Sequence, residues 1–177
     1  TLSVLGEKAF AECDALTAVT IPGSIRTVSA YAFYHCDRLK SVALEKGVRS
    51  VKEYAFQNCA SLGSVSLPEG LEEIGANAFT FCPLTELTLP DSLTSMKTEA
   101  FNSNRPNDVI QKTLKKVTWT VGMPVVKKSQ FRGFKGLEEV VGALRMIAPE
   151  LPFDINYIEL DEPVQNLYFG EFSIEAF

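Results

Sequence analysis

An Ala-Phe pair returns along this chain at nearly constant intervals, with its phenylalanine at Phe10, Phe33, Phe56, Phe79 and Phe101. Three residues after the first four stand Cys13, Cys36, Cys59 and Cys82, and leucine follows at Leu16, Leu39, Leu62 and Leu84. Next come the apolar pairs Val19/Ile21, Val42/Leu44, Val65/Leu67 and Leu87/Leu89, three of them closed by Pro22, Pro68 and Pro90. A second apolar pair completes each unit: Ile25/Val28, Val48/Val51, Leu71/Ile74 and Leu93/Met96. So many columns in register require equivalent segments that stack, because one segment alone cannot enclose its apolar face.

The pattern loosens but continues. From Leu114 the same offsets give Val117, Trp119, Met123, Val126 and Phe131, then Phe134 in the cysteine column, Leu137 and Val140. A last unit is read at Ile155, Ile158, Leu160, Val164, Leu167 and Phe172. In Leu-x-x-Val-x-Leu the valine and second leucine share one side of a strand, and their alternate neighbours face out. Proline then ends the pairing, since it cannot donate to a ladder. The expected fold is an α/β solenoid, a right-handed superhelix of about seven to eight coils. Parallel strands would line its concave face, with short helical or irregular turns on the convex side. Residues 1–177 form one domain on this reading, with regular repeats over 1–101, an insertion at 102–113 and divergent repeats over 114–177. Because Leu2 and Leu5 already occupy repeat positions, a longer parent protein is expected, with end-to-end association as the alternative.

The unit Leu-Pro-x-x-Leu-x-x-Ile-Gly-x-x-Ala-Phe-x-x-Cys-x-x-Leu resembles the BspA-like leucine-rich repeat, most closely at Leu67-Pro68-Glu69-Gly70-Leu71-Glu72-Glu73-Ile74-Gly75-Ala76-Asn77-Ala78-Phe79. The resemblance is strong from Leu2 to Phe101 and weaker to Phe172. It implies a surface or secreted protein of a host-associated bacterium, acting by adhesion and protein binding, with no catalytic motif. Departures from the unit are Lys46 where proline is usual, loss of the cysteine column after Cys82, and the irregular region 142–157.

Composition narrows the function. A net charge of −5 argues against a general nucleic-acid or anionic-membrane binder, and no apolar run approaches a membrane span. The cysteine spacing matches neither paired zinc ligands nor a redox motif, so small buried thiols filling the core are expected, with a bridge or two as the alternative. His35-Cys36-Asp37 invites a nucleophile reading, but the repeat turns Cys36 inward while its neighbours project elsewhere. Gly23, Gly47 and Gly70 belong to the turns after strands, where positive φ is often required. Neither an enzyme activity nor a cofactor or metal is implied.

Two surfaces remain as candidates. The outward strand positions include Thr20, Ser41, Ser64, Ser66, Glu86, Thr88, Lys116, Thr118 and Glu139, a small polar face without the Trp, Tyr and Arg anchors of binding hot spots. The insertion supplies Asn104, Arg105, Asn107 and Asp108 in a polar, turn-rich stretch; insertions in repeat arrays emerge as loops, and loops on rigid scaffolds often bind. Basic residues gather between Arg105 and Lys135, and acidic ones follow Leu137. Either this block meets an anionic partner, or Lys115 and Lys116 lie beside Glu138 and Glu139 on the next strand. The expected function is a non-catalytic binding or adhesion module, at the cell surface or outside the cell. Its partner would be a protein, such as one of the host extracellular matrix, or a surface glycan. The alternatives are a spacer that displays another domain, or an accessory targeting module of a larger glycan-degrading enzyme.

Overall fold

The computed structural model describes residues 2–97, 99–101, 108–121, 139–144, 166–169 and 172–173. In chain order the first strands are β1 (Ala18–Ile21), β2 (Thr27–Val28), β3 (Ser41–Leu44), β4 (Ser50–Val51), β5 (Ser64–Ser66) and β6 (Glu73–Ile74). Then follow β7 (Glu86–Thr88), β8 (Ser95–Met96), the single-turn helix α1 (Ile110–Thr113), β9 (Lys116–Val121), β10 (Glu139–Leu144), β11 (Asn166–Phe169) and β12 (Phe172–Ser173). The chain winds as a parallel β-solenoid. One ladder runs β1-β3-β5 and a second β7-β9-β10-β11, all parallel, while the short strands β2-β4-β6-β8 form a third. The first two abut where the Thr85 N–H donates to Gly63 O at 3.3 Å.

Register follows the apolar columns. Val19 pairs with Val42 and Val42 with Val65; Val28, Val51, Ile74 and Met96 align in the short ladder. The alternation of buried and open positions in Ser41–Leu44 is the period-two signature of a half-buried strand. Two assignments shift. Because Ile21 pairs with Leu44, the residue in the Pro22 column is Glu45 rather than Lys46. The strand beside β10 is Asn166–Phe169, with Val140 opposite Leu167, whereas the repeat offsets pointed to Ile158; residues 145–165 lie outside the described residues. β12 then returns antiparallel to β11, a hairpin that the repeat pattern does not contain.

The interior is built on aligned rings. Phe10, Phe33, Phe56, Phe79 and Phe101 stack with successive centroids 5.4, 5.1, 5.2 and 5.1 Å apart and planes within 9° of parallel. This is one interior shared by successive coils, and the three central rings are fully buried. Beside the rings runs the cysteine ladder. The thiols of Cys36, Cys59 and Cys82 donate to the carbonyl oxygens of Phe10, Phe33 and Phe56 at 3.0, 3.2 and 3.1 Å. A cysteine therefore both fills the column and satisfies a carbonyl of the coil before it, and all four are free thiols.

The Ala-Phe segments are hydrogen-bonded turns, and no helix forms in them among the described residues. The reason is a left-handed backbone on either side of the first four Ala-Phe pairs: Lys8 and Glu12, Tyr31 and His35, Tyr54 and Asn58, Asn77 and Phe81, with φ between 55 and 61°. Two such residues within five break a right-handed helix. Their amides instead reach the next coil, as when Phe33 N–H donates to Ala55 O and Phe56 N–H to Ala78 O, both at 2.8 Å.

After β1, β3, β5 and β7 a tight turn closes with the amide of Ile25, Val48, Leu71 or Leu93 donating to the carbonyl three residues earlier. Gly47 and Gly70 take positive φ there, as expected of turn glycines, but Gly23 is needed for another reason. A Cβ on Gly23 would lie 1.9 Å from Lys46 O, so any side chain forces two coils apart. Gly23→Ala should cost about 1–3 kcal/mol, the usual range for overpacking. Gly63→Ala, with nothing within 4 Å of the added atom, should leave the thermal midpoint nearly unchanged. Paired melting curves test the contrast; equal midpoints would reject close coil contact at Gly23.

Candidate functional site

The outward strand residues fall into two rows. Ala18, Ser41 and Ser64 align in one, continued by Glu86 and Lys116 across the second ladder, whose backbone register carries on to Glu139 and Asn166. Thr20, Ala43 and Ser66 align in the other, continued by Thr88, Thr118, Val141 and Tyr168. Thr20, Ser64, Ser66, Glu86 and Thr88 are exposed; Ser41, Lys116 and Thr118 are half-buried. The strand-face candidates from Thr20 to Thr118 thus lie together on one side of the solenoid, and Glu139 shares their backbone register. Small side chains hold this face low, and the paired backbone beneath fixes its spacing.

Charge along the face alternates in register, with Lys116 opposite Glu86 on one side and Glu139 on the other. The adjacency expected of Lys116 and Glu139 is present, while Glu138 lies outside the described residues. The same habit appears on the short ladder, where Arg49 pairs with Glu72 and Lys52 reaches Glu73 at 2.5 Å. Exposed pairs of this kind contribute at most ~1 kcal/mol each, but they oppose slippage of one coil against the next.

The insertion divides differently. Asn104, Arg105 and Asn107 lie outside the described residues. Asp108 is fully buried, which removes it from the candidate surface. Its Oδ1 accepts from the Phe81 amide at 3.2 Å and from the Ile110 amide at 3.4 Å. In earlier coils the matching amides of Glu12, His35 and Asn58 donate to backbone carbonyls of the following coil. At Phe81 a side-chain carboxylate takes that place, so Asp108 closes the turn ladder where the insertion interrupts it.

No nucleophile assembles at His35-Cys36-Asp37. The Cys36 thiol donates inward to Phe10 O, while His35 contacts Asn58 Nδ2 through Nε2 at 3.0 Å and Asp37 through Nδ1 at 3.6 Å. Burial pushes the Cys36 thiol up to about 11, and burial also raises Cys82 well above its ordinary value. Both oppose thiolate formation. The folded chain then holds these protons more tightly than the unfolded chain. Stability from this source is complete below the ordinary thiol value of 9.0 and falls as pH rises through about 11. Denaturation midpoints should decline between those limits, and less so in Cys36→Ala measured against its own neutral-pH value. A parallel decline in both proteins would contradict the assignment.

A concavity lies on the turn ladder. Tyr34, Tyr54, Gln57, Asn58, Asn77 and Glu99, with Phe81, enclose about 500 Å³. Sequence columns built on apolar positions pass over these residues, because the polar positions flanking each Ala-Phe pair vary from coil to coil. Among the described residues no three His, Cys, Asp or Glu side chains converge to hold a metal, and no helix is long and apolar enough to cross a membrane.

Stacked parallel coils, leucine and phenylalanine columns and inward cysteines define a leucine-rich-repeat solenoid. The chain belongs to the BspA type leucine rich repeat family, whose model matches residues 1–107 in six copies. Among solved structures it is similar to a T. pallidum leucine rich repeat protein, at 28% identity and a TM-score of 0.67 over 80% of this chain and 67% of that one. A leucine-rich repeat protein of Bacteroides ovatus matches at 25% identity and a TM-score of 0.62, over 83% of this chain and 38% of that one. The pneumococcal vaccine antigen PcpA shares the fold, at 22% identity and a TM-score of 0.53 over 72% of this chain and 36% of its own. Ribonuclease Z of Lachnoclostridium phytofermentans is 53% identical over 45 residues, a quarter of this chain. The chain spans 15% of the length of that relative, a fragment that carries no enzymatic assignment.

Proposed function

We propose that this chain is a non-catalytic protein-binding or adhesion module of a cell-surface or secreted bacterial protein. On this reading residues 1–177 form one domain of about seven to eight coils, strands on the concave side and irregular turns on the convex side. The observation that carries it is the pair of aligned, mostly polar rows from Thr20 to Thr118, a regular surface of small side chains. Such a face suits an extended partner, because its contact points repeat at the strand spacing of roughly 4.8 Å. The partner is a protein, for which host extracellular-matrix proteins are the first candidates, or a surface glycan. Asn104, Arg105 and Asn107 extend the candidate surface through the insertion.

Surface plasmon resonance over immobilised matrix proteins and glycans tests the assignment. The parent chain should bind at least one of them, and Ser64→Arg with Ser66→Arg should weaken that binding at least tenfold without changing the thermal midpoint. Binding to a matrix protein that ignores both changes would remove the strand face from the interface. A spacer role is the second reading, favoured by the lack of Trp, Tyr or Arg among the row positions from Ala18 to Thr118. Absence of binding to the whole panel would support it, as would a parent gene in which wall anchors flank the repeats.

A further inference from the structure

We propose that the groove on the turn ladder binds a neutral carbohydrate. Its floor is rigid, since the Asn58 amide donates to Thr80 O at 3.0 Å and the Asn77 amide to Glu99 O at 2.9 Å. Three side-chain amides stand on this floor, each tied by one contact. Gln57 Nε2 donates to Thr80 Oγ1 at 2.9 Å, Asn77 Nδ2 to Glu99 Oε2 at 3.5 Å, and Asn58 Nδ2 meets His35 Nε2 at 3.0 Å. A primary amide offers two N–H donors and a carbonyl, so each retains one donor and its acceptor for a ligand. The amides are therefore oriented in advance yet not used up, which lowers the ordering cost of binding.

Aromatic rings complete the groove. Tyr54 is held by stacking on Tyr31 at 4.8 Å, and Tyr34 packs edge-on against Tyr31 at 5.6 Å. These rings and Phe81 set aromatic surface beside the amides, in a groove whose exposed lining is mainly polar. The lining excludes other classes. Among the described residues it contains no Lys or Arg to meet an anion, and its one carboxylate there, Glu99, already accepts from Asn77. It is too polar for an acyl chain and lacks the apolar anchor pockets by which helices and strands are captured. A sugar ring presents C–H faces together with hydroxyls that both donate and accept, which matches rings beside half-used amides.

Binding to an array of neutral, sialylated and sulphated oligosaccharides tests the proposal, followed by calorimetric titration with the strongest neutral oligosaccharide. Asn58→Gly with Asn77→Gly removes both amides while keeping a residue suited to left-handed backbone, and a matched melting curve checks the fold. Retention of neutral oligosaccharides by the parent chain is expected, with affinity at least tenfold lower in the double variant and unchanged by Ser64→Arg with Ser66→Arg. Three results would overturn it: no neutral oligosaccharide retained, equal affinity in the double variant, or displacement of the sugar by peptides from a random library. The groove and the strand rows share no residue, so a failure here leaves the strand-face proposal standing.

Discussion

Phe56→Ala should lower stability by about 3–5 kcal/mol, the range for truncating a fully buried aromatic ring. Phe56 sits third in the ring stack, with Phe33 at 5.1 Å and Phe79 at 5.2 Å on its two faces. Its removal leaves a cavity between coils that neighbours cannot close, because their positions are fixed by the ladders on either side. In a stacked array the loss also uncouples the coils before it from those after it. Two effects should therefore appear in a denaturant titration: a lower midpoint and a broader transition. Phe10→Ala, at the half-exposed end of the stack, should cost far less. Equal losses at Phe10 and Phe56 would show that ring position within the stack has no energetic meaning.

The second large effect is expected at Asp108. Asp108→Ala strips the acceptor from the amides of Phe81 and Ile110, at a cost of roughly 1–3 kcal/mol for each buried donor left unmade. Asp108→Asn keeps an oxygen acceptor and should lose much less. Amide hydrogen exchange reads the result locally, with protection at Phe81 and Ile110 falling in the alanine variant and largely retained with asparagine. If protection at both amides survived in Asp108→Ala, the carboxylate would not be closing the ladder.

Asp108 also shows where sequence reading stops. A carboxylate within Asn-Asp-Val, after Asn102-Ser103-Asn104-Arg105-Pro106, looks like part of an exposed loop. It is buried because a ladder interrupted by the insertion leaves donors that need an acceptor, a demand set by the preceding coil rather than by its own neighbours. The stacked rings, inward cysteines and strand rows were legible because they depend on side-chain columns. The left-handed turns were not, since Lys8, Glu12, Tyr31, Tyr54 and Phe81 carry no mark of positive φ; only His35, Asn58 and Asn77 belong to types that favour it. β11 was misplaced for a different reason. Ile158 and Leu167 both satisfy the alternation, and a period of two leaves such competing registers open when the spacing column is lost. The groove beside Asn58 and Asn77 stayed hidden because its residues come from alternate polar positions of several coils.

Proton-proton contacts between phenylalanine rings, observed by nuclear magnetic resonance with selective labelling, test the stacked interior most directly. Each of Phe10, Phe33, Phe56 and Phe79 should show cross-peaks to the ring of the next coil, with none linking rings two coils apart. Missing neighbour contacts, or a direct contact between Phe33 and Phe79, would contradict a solenoid whose successive turns share one core.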